Sequence, residues 1–586
     1  MTNNPGWRFT IVGVVFASLG VVIIGQLVRI KILPQADQIL AQSGQYAGVI
    51  RMITPPRGQI FDRWGNLLAG NKTVYEIGVE LKHVTNPETI ALALSIIIGI
   101  DYDHVLTLAS QPYSEDAVYA LLADFISAEQ VAQLQSYTEQ LDSYQETGSD
   151  EILPSLNGLV FTPHLERSYP EGDLAYNVLG FVSQDGLGYF GVEGKYDDLL
   201  LGDSIKLWVP EDPNLVEEFP DIPVGVDLIL TIDRELQAEV EEILDTALED
   251  TGAIAGTVVV MDPQTGEIYV MATAPRLDLN EYWNFYEVFP EATQFNSPIG
   301  RPYEPGSVFK VLTMAAALDA GAVEPDTDFL DTGIFEIGGV YLRNWNQEAW
   351  GPQDMVGCLQ YSLNVCLAWV ATELGPKNFY EYMLKFGIGH ITGIDLDGEI
   401  TGTMRLPGDP EWHISDLGTN AFGQGVSANV AQMLMAISSV ANEGQMVTPR
   451  LLRAVVRNGF QYEVQTQIAG IPISPETAHT LTEMLAVSLE NETPRALVDG
   501  YRLAGKSGTA DIPTESGYSS SATNASFVGW GPVDDPKFLV YVWLEKPVIA
   551  PWGSVVAAPV FREVVERLVI LMDIPPDELR LGMSGQ

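Results

Sequence analysis

Residues 304–318 constrain the fold more than any other stretch of this chain. They read Glu-Pro-Gly-Ser-Val-Phe-Lys-Val-Leu-Thr-Met-Ala-Ala-Ala-Leu. Pro305-Gly306 marks a loop, and residues 308–318 combine apolar and small side chains in the manner of a buried helix. We therefore expect Ser307 at or just before the first helical turn, beside unpaired backbone N–H groups and the positive end of the helix dipole.

Lys310 lies three residues after Ser307, a spacing that places both side chains on the same face of the helix. Burial and the nearby positive dipole end both penalise an ammonium group, so the amine is expected to be neutral and basic. A serine hydroxyl beside a neutral amine is an activated nucleophile. Taken alone, however, the pair is better explained as a serine cap followed by a surface lysine.

Two further motifs change this interpretation. Tyr361-Ser362-Leu363-Asn364 gives the pattern S-x-N, and Lys506-Ser507-Gly508-Thr509 gives K-S-G-T. With Ser307-x-x-Lys310 they form the three-motif set of penicillin-binding proteins and class A β-lactamases. The chain resembles the serine penicillin-binding protein transpeptidases, and Tyr-Glu-Pro-Gly before Ser307 resembles the class B members.

The resemblance implies an α/β transpeptidase domain, β-lactamase-like, with a central antiparallel sheet flanked by helices. It also implies that an elongated α+β pedestal module and one N-terminal transmembrane helix precede this domain. The expected bounds are a cytoplasmic tail at 1–8, a membrane anchor at 9–28, a non-catalytic module at 29–225 with a helical head at about 85–155, a transpeptidase domain at 226–576 and a C-terminal tail at 577–586.

The resemblance also implies roles for the motif residues. Ser307 attacks the penultimate D-alanine of a peptidoglycan stem peptide, and Lys310 is the general base. Ser362 and Asn364 bridge the base, the leaving group and the substrate amide, and Lys506 supplies positive charge near the substrate carboxylate. The implied substrate-binding residues are Ser507, Gly508 and Thr509. The backbone N–H groups of Ser307 and Thr509 form the oxyanion hole.

Composition excludes some classes of function. The 586 residues predict about three or four domains. A net charge of −48 repels phosphate backbones, so nucleic-acid binding is disfavoured. The six histidines are never at metal-ligand spacing with each other or with the cysteines, so no metal site is expected. The serine chemistry that the resemblance implies needs no cofactor.

The two cysteines, Cys358 and Cys366, lie on either side of Ser362 and Asn364. One continuous helix would hold them about 12 Å apart, too far for a disulfide. A turn at Ser362 would let them meet, so both states stay open. Buried free thiols are favoured over a disulfide.

Residues 9–28 carry no charged side chain and are long enough, at about 30 Å, to cross the hydrocarbon layer of a membrane. No A-x-A cleavage site follows, which favours an uncleaved signal anchor over a signal peptide. The long chain that follows, together with the resemblance, places the catalytic domain outside the cytoplasmic membrane.

In the expected pedestal, residues 57–66 resemble the R-G-x-I-x-D-R-x-G opening of the class B module. Arg57, Asp62 and Arg63 are expected to pair across a turn at Gly65. In the catalytic domain, Asp233 and Gly252 should start and end a helix, and residues 257–273 and 525–544 each read as a hairpin. Residues 560–571 predict an amphipathic helix.

A competing motif is the P-loop pattern in Gly500-Tyr-Arg-Leu-Ala-Gly-Lys506-Ser507. A phosphate cradle needs a helix that begins at the lysine, whereas residues 508–521 are rich in Gly, Pro and Ser and cannot start one. A Ser-His-Asp hydrolase is disfavoured because no G-x-S-x-G elbow is present.

The expected function is therefore D,D-transpeptidation in cell-wall crosslinking, with covalent binding of β-lactams. Hydrolytic relatives (a D,D-carboxypeptidase or a β-lactamase) and a non-enzymatic penicillin sensor or divisome scaffold are the alternatives. The implied partners are stem peptides and their lipid-linked precursor, a membrane glycan polymerase, and proteins of an elongation or division complex.

Overall fold

The computed structural model describes residues 6–32, 48–53, 55–114, 116–145, 154–210, 224–289, 295–514 and 517–584. The chain divides into two compact units. One comprises Met1–Pro56 with Leu201–Gly225, and the other comprises Arg57–Leu200 with Val226–Gln586. Residues 1–5 of the predicted cytoplasmic tail and the last two residues of the predicted C-terminal tail lie outside the described ranges.

The described residues of the smaller unit form the helix Gly6–Ile32 and a pair of antiparallel strands, Gly48–Ile53 and Ile205–Pro210. Within the described ranges, no helix combines the length and the hydropathy needed to cross a membrane. The anchor expected at residues 9–28 stays a prediction.

A five-stranded antiparallel sheet forms the centre of the larger unit. In spatial order its strands are Ile268–Ala274, Ala255–Met261, Phe538–Glu545, Gly517–Gly531 and Ala504–Thr514. Both ends of the catalytic segment thus contribute strands to one sheet, as the sequence predicts. The fold class of a central sheet flanked by helices is confirmed.

Alternation along the strands gives this sheet two buried faces. Val258 and Val260 pack with the helices Arg234–Thr251 and Gly553–Leu571 on one face. Val259 and Met261 belong to the core on the other face, which contains the helix Lys310–Asp319. That helix has eight buried residues, from Lys310 to Ala317, so it is enclosed as its composition predicts.

The first of the flanking helices confirms its predicted ends. The Asp233 carboxylate accepts a hydrogen bond from Leu236 N at 3.2 Å, and Gly252 closes the helix in the left-handed region at φ 69°. The helix predicted at 560–571 begins earlier, at Gly553, and includes Pro559. Residues expected in the C-terminal tail form the helix Asp577–Ser584.

A seven-stranded sheet carries the region expected as the pedestal. Its strands are Phe460–Glu463, Leu452–Arg457, Asp227–Leu230, Ile60–Phe61, Leu67–Glu80 and Tyr119–Ser127, with Leu159–Ser168 also paired to Leu67–Glu80. The head contains the helices Pro87–Ile97, Tyr102–Ala109 and Ala128–Gln145, around a core of its own.

Arg57, Asp62 and Arg63 do not pair with one another, so this prediction is wrong. Gly65 does form the turn, at φ 92°, but the Asp62 carboxylate caps it by accepting from the backbone N–H of Asn66 at 2.7 Å. Arg57 instead binds the buried carboxylate of Glu193 at 2.7 Å. The partner of Arg57 lies 136 residues away, beyond the reach of local pattern.

Further helices and strands complete the described residues of the chain. The remaining helices are Tyr176–Leu179, Gly191–Lys195, Asp197–Leu201, Phe285–Val288, Ser297–Gly300, Met355–Gln360, Asn364–Leu374, Pro376–Lys385, Ile414–Asn420, Val430–Ala441 and Pro475–Glu492, with 3₁₀ turns at Leu81–His83, Leu279–Asn284, Gly306–Phe309 and Pro494–Ala496. The remaining strands are Phe181–Val182, Gly188–Tyr189, Phe329–Asp331, Ile334–Ile337, Val340–Arg343, Gly351–Gln353, Met446–Val447 and Ile468–Gly470.

Candidate active site

Ser307 lies in the 3₁₀ turn Gly306–Phe309, directly before the buried helix Lys310–Asp319. This turn packs against the strand Ala504–Thr514. Gly306 adopts φ 57°, and a Cβ there would lie 2.5 Å from the carbonyl oxygen of Thr509. The glycine before the serine therefore allows the first motif to touch the third.

The Lys310 side chain joins the first motif to the second. Its Nζ atom donates to the carbonyl oxygen of Ser362 at 2.6 Å and to Asn364 Oδ1 at 2.8 Å. Ser362 Oγ lies 3.1 Å from the same nitrogen. The lysine is completely buried, which excludes the surface-lysine explanation.

Burial lowers the pKa of the Lys310 amine well below its usual value, and the nearby charge of Lys506 lowers it further. A neutral amine has two N–H donors and one lone pair. Because the Ser362 carbonyl and Asn364 Oδ1 can take both donors, the lone pair is left to accept a proton from a hydroxyl group. The second motif thus fixes the orientation of the Lys310 amine as well as binding it.

Ser362 occupies a sharp turn between two helices. It has φ 53°, in the left-handed region, and separates Met355–Gln360 from Asn364–Leu374. The break brings Cys358 and Cys366 together as a disulfide with a Cα–Cα distance of 6.0 Å. The preference for free thiols is therefore wrong, and the turn at Ser362, which the sequence left open, is what allows the disulfide.

Lys506 is buried on the strand Ala504–Thr514, and burial lowers the pKa of its amine to about 8. The group is thus still mostly protonated at neutral pH. The backbone N–H of Gly553 donates to Thr509 Oγ1 at 3.1 Å, which leaves the hydrogen of that hydroxyl available to a substrate. Gly508 has no room for a side chain, since a Cβ would lie 2.9 Å from Val308 Cγ1.

A cavity of about 350 Å³ opens over these motifs. Five of the eight predicted site residues line it: Ser307, Ser362, Asn364, Ser507 and Thr509. Lys310 reaches this lining through its bonds to Ser362 and Asn364.

Further lining residues were missed or left open by the sequence. Trp345 and Trp350, for which groove lining and core packing are equally compatible with the sequence, both line the cavity. Asp511 follows Ser507 and Thr509 at the strand period of two, so alternation would have identified it. Glu492 and Trp552 come from distant helix ends, and no local pattern points to them.

Two family models match this chain. Residues 256–566 match the penicillin-binding protein transpeptidase domain, and residues 52–205 match the penicillin-binding protein dimerisation domain. This chain belongs to the penicillin-binding protein transpeptidase family. The family predicted from the three motifs is confirmed.

Other penicillin-binding proteins and related chains are similar over most of the sequence. Stage V sporulation protein D of Bacillus subtilis (strain 168) is 31% identical over 544 residues, which cover 91% of this chain and 81% of that protein. Probable peptidoglycan D,D-transpeptidase PbpC of Pseudomonas aeruginosa is 28% identical over 595 residues, 99% of this chain and 98% of that protein. The crystal structure of penicillin-binding protein 2X from Streptococcus thermophilus has a TM-score of 0.73 at 23% identity, covering 89% of this chain and 80% of that one, which supports the fold.

Proposed function

We propose that this penicillin-binding protein is a peptidoglycan D,D-transpeptidase that crosslinks stem peptides through an acyl-enzyme on Ser307. The observation that carries the proposal is the buried Lys310 amine, hydrogen-bonded to Ser362 and Asn364 at the wall of the cavity that contains Ser307. The family match and the transpeptidase named among its relatives support it.

In the acylation step, Ser307 Oγ attacks the carbonyl carbon of the penultimate D-alanine. The hydroxyl proton passes to the lone pair of Lys310, directly or through the Ser362 hydroxyl. When the peptide bond breaks, the nitrogen of the terminal D-alanine takes up a proton and leaves as an amine, and Ser307 holds the peptide as an ester. The backbone N–H groups of Ser307 and Thr509 stabilise the oxyanion, a term of about 3–4 kcal/mol per donor.

In the second step, an amine from a neighbouring peptide attacks this ester. A new amide bond forms, the ester bond to Ser307 breaks, and the amine's proton returns the serine to its hydroxyl form by way of the base. A β-lactam follows only the first step. Its ring amide is opened by Ser307, and the product stays attached as an ester.

The terminal carboxylate of the donor peptide is held at the third motif. Lys506 provides a positive charge, while Ser507 and Thr509 present hydroxyl groups to the cavity. The Gly553 N–H that donates to Thr509 fixes that hydroxyl as a donor towards the substrate. This is a binding role for the K-S-G-T motif, separate from the proton transfers at Lys310.

Asp511 lies on the same face of this strand, two residues beyond Thr509 and hence about 6.6 Å further along. A donor peptide that runs alongside the strand would place its diamino-acid residue, two positions before its end, near Asp511. The carboxylate of Asp511 suits an amine on that residue, and Glu492 adds a second carboxylate to the lining. We propose that the groove is cationic at Lys506, where it binds the terminal carboxylate of the donor peptide, and anionic at Asp511, where it binds the amine of the diamino-acid residue.

Product analysis with a matched donor and acceptor tests the proposed function. A donor ending in D-Ala-D-Ala and an acceptor with a free amine should give a crosslinked dimer and D-alanine in equal amounts. The same acceptor with its amine acetylated is the control and should give no dimer. Release of D-alanine without dimer in both reactions would establish a carboxypeptidase and contradict the proposal.

We also propose that residues 9–28 anchor the protein in the cytoplasmic membrane, with the transpeptidase domain (226–576), preceded by the pedestal (29–225), outside. Supporting this, the helix Gly6–Ile32 exposes apolar side chains such as Ile11 and Phe16, which are 51% and 71% exposed. The Cys358–Cys366 disulfide suits an oxidising compartment. Protease added to intact spheroplasts should digest the catalytic domain, and its full protection would contradict this topology.

The implied assembly is with a membrane glycan polymerase and an elongation or division complex, in which lipid-linked precursor supplies the stem peptides. This part of the proposal rests on family resemblance. Co-purification of a polymerase from detergent-solubilised membranes, lost when residues 9–28 are replaced by an unrelated anchor, would support it. Full polymerase and crosslinking activity of the two proteins without association would oppose it.

A further inference from the structure

A second cavity, of about 390 Å³, lies in the larger unit and shares no lining residue with the candidate active site. Its walls come from the strands Leu67–Glu80, Tyr119–Ser127 and Leu159–Ser168 and from the 3₁₀ turn Leu279–Asn284. Its volume falls in the range of about 300–1,000 Å³ that is typical of small-molecule sites. None of the three sequence motifs contributes to it.

Aromatic rings form part of the wall of this cavity. Trp283 is 60% exposed, although a side chain of this size is usually covered. Tyr282 stacks on Phe181 with ring centroids 4.5 Å apart and an interplanar angle of 8°, and its hydroxyl accepts from Gln184 N at 3.1 Å. Phe125, at φ 58°, packs its ring edge-to-face with His164. These contacts hold flat apolar faces in place.

Carboxylates supply most of the charge in the lining. Each already has a partner: Glu76 accepts from the Tyr119 hydroxyl at 2.6 Å, Asp124 from His164 and from the backbone N–H of Phe125, both at 2.7 Å, and Glu166 pairs with Lys72 at 3.0 Å. Each carboxylate still has free lone pairs, because it can accept about four hydrogen bonds. The one arginine in the lining, Arg167, donates to the buried Glu193 at 2.6 Å, which balances its charge, although its Nη2 atom has no hydrogen-bond partner among the described residues.

These features select a neutral ligand with several donors and an apolar face. An anion would meet three carboxylates and one arginine, whose charge the buried Glu193 already balances. A cation would meet Glu166 already paired with Lys72 and Asp124 already holding two donors, so Glu76 alone would have to balance its charge. The C–H face of a pyranose ring carries partial positive charge, which suits the negative face of an aromatic ring, and sugar hydroxyl and N-acetyl N–H groups are donors to carboxylates.

We propose that this cavity is a saccharide-binding site that holds an N-acetylated amino-sugar segment of a glycan strand. The choice of an N-acetylated sugar rests on the proposed function, since stem peptides are attached to such strands. A saccharide bound on Trp283 and Tyr282 would hold the strand at a site distinct from the one where its peptides react.

The probe for this site is a β-1,4-linked tetramer of N-acetylglucosamine, which carries no stem peptide. Its binding is measured by calorimetry on full-length protein whose active site has first been acylated with penicillin. We expect binding to be retained in the acylated protein, to weaken by about tenfold or more in Trp283→Ala, and to weaken in Glu76→Gln. The matched control is Tyr286→Ala, since Tyr286 is 83% exposed, lies three residues from Trp283 and does not line the cavity.

Each variant is also acylated with a fluorescent penicillin, and an unchanged yield shows that the fold is intact. This readout separates the two proposals: failure of acylation would count against the proposed function, whereas failure of tetramer binding would count against the saccharide site. Absence of tetramer binding at millimolar concentration, or equal weakening in Tyr286→Ala and Trp283→Ala, would overturn the inference. So would binding of a free stem pentapeptide in place of the tetramer, which would identify a peptide ligand.

Discussion

Loss of the Cys358–Cys366 disulfide should destabilise the protein and slow its acylation. The bridge joins the two helices on either side of Ser362 and encloses both polar residues of the second motif. Ser362 is held at φ 53°, and Lys310 Nζ binds its carbonyl oxygen at 2.6 Å. The disulfide therefore constrains the turn that binds the Lys310 amine.

Two magnitudes follow from this geometry. The cysteines are 8 residues apart, and closing a loop of that size removes about 2.5 kcal/mol of chain entropy from the unfolded state at 25 °C. A left-handed residue that is not glycine costs about 1–2 kcal/mol. If the turn relaxes when the bridge is lost, recovering that conformation on acylation would slow the reaction by about tenfold.

The assay compares wild type with and without reductant against Cys358→Ala/Cys366→Ala. Urea unfolding gives the free energy of unfolding, and the rate of labelling by a fluorescent penicillin gives the acylation rate. We expect reduced wild type and the double variant to show the same losses, and the double variant to be insensitive to reductant. Equal stability and equal labelling rates in oxidised and reduced wild type would refute the reasoning.

Three further predictions concern charge. Burial lowers the pKa of Lys506 to about 8, so its positive charge is lost above that pH and the KM for a donor peptide should rise there. In Lys506→Arg the guanidinium stays charged, so this rise in KM should be absent. Asp511→Asn should lower kcat/KM by about two- to fivefold for a donor with a free diamino-acid amine but not for the same donor acetylated, and equal effects on both would exclude an amine contact. Burial raises the pKa of the Glu241 carboxyl from 4.5 to about 7, so between these pH values the native state holds a proton that the unfolded state has lost. The free energy of unfolding should therefore fall as pH rises through this window. Glu241→Gln should flatten that dependence, and an unchanged slope in the variant would contradict the prediction.

The sequence predicts those features of the fold and the candidate site that depend on residues close together in the chain. The apolar residues after Ser307 could only form an enclosed helix, and the three-residue spacing put Lys310 within reach of the second motif. Asp233 and Gly252 ended their helix as capping preferences require. These features depend on residues within about one turn of each other, so the pattern carries the information.

Other features depend on contacts between distant segments. Arg57 pairs with Glu193 and not with its near neighbour Asp62, because the buried carboxylate that it neutralises comes from a helix far along the chain. The disulfide depends on the left-handed backbone conformation of Ser362, and nothing in the residues around Ser362 indicates that conformation. Trp552 reaches the cavity from the start of a helix that begins at Gly553, seven residues before the beginning that its apolar pattern predicts.

The most direct test of the account is the identity of the acylated residue. Purified protein is labelled with a fluorescent penicillin, digested, and mapped by mass spectrometry beside the Ser307→Ala variant. We predict one adduct, on the peptide that contains Ser307, and no adduct in the variant. An adduct on another residue, or undiminished covalent labelling of Ser307→Ala, would contradict the assignment of Ser307 as the nucleophile.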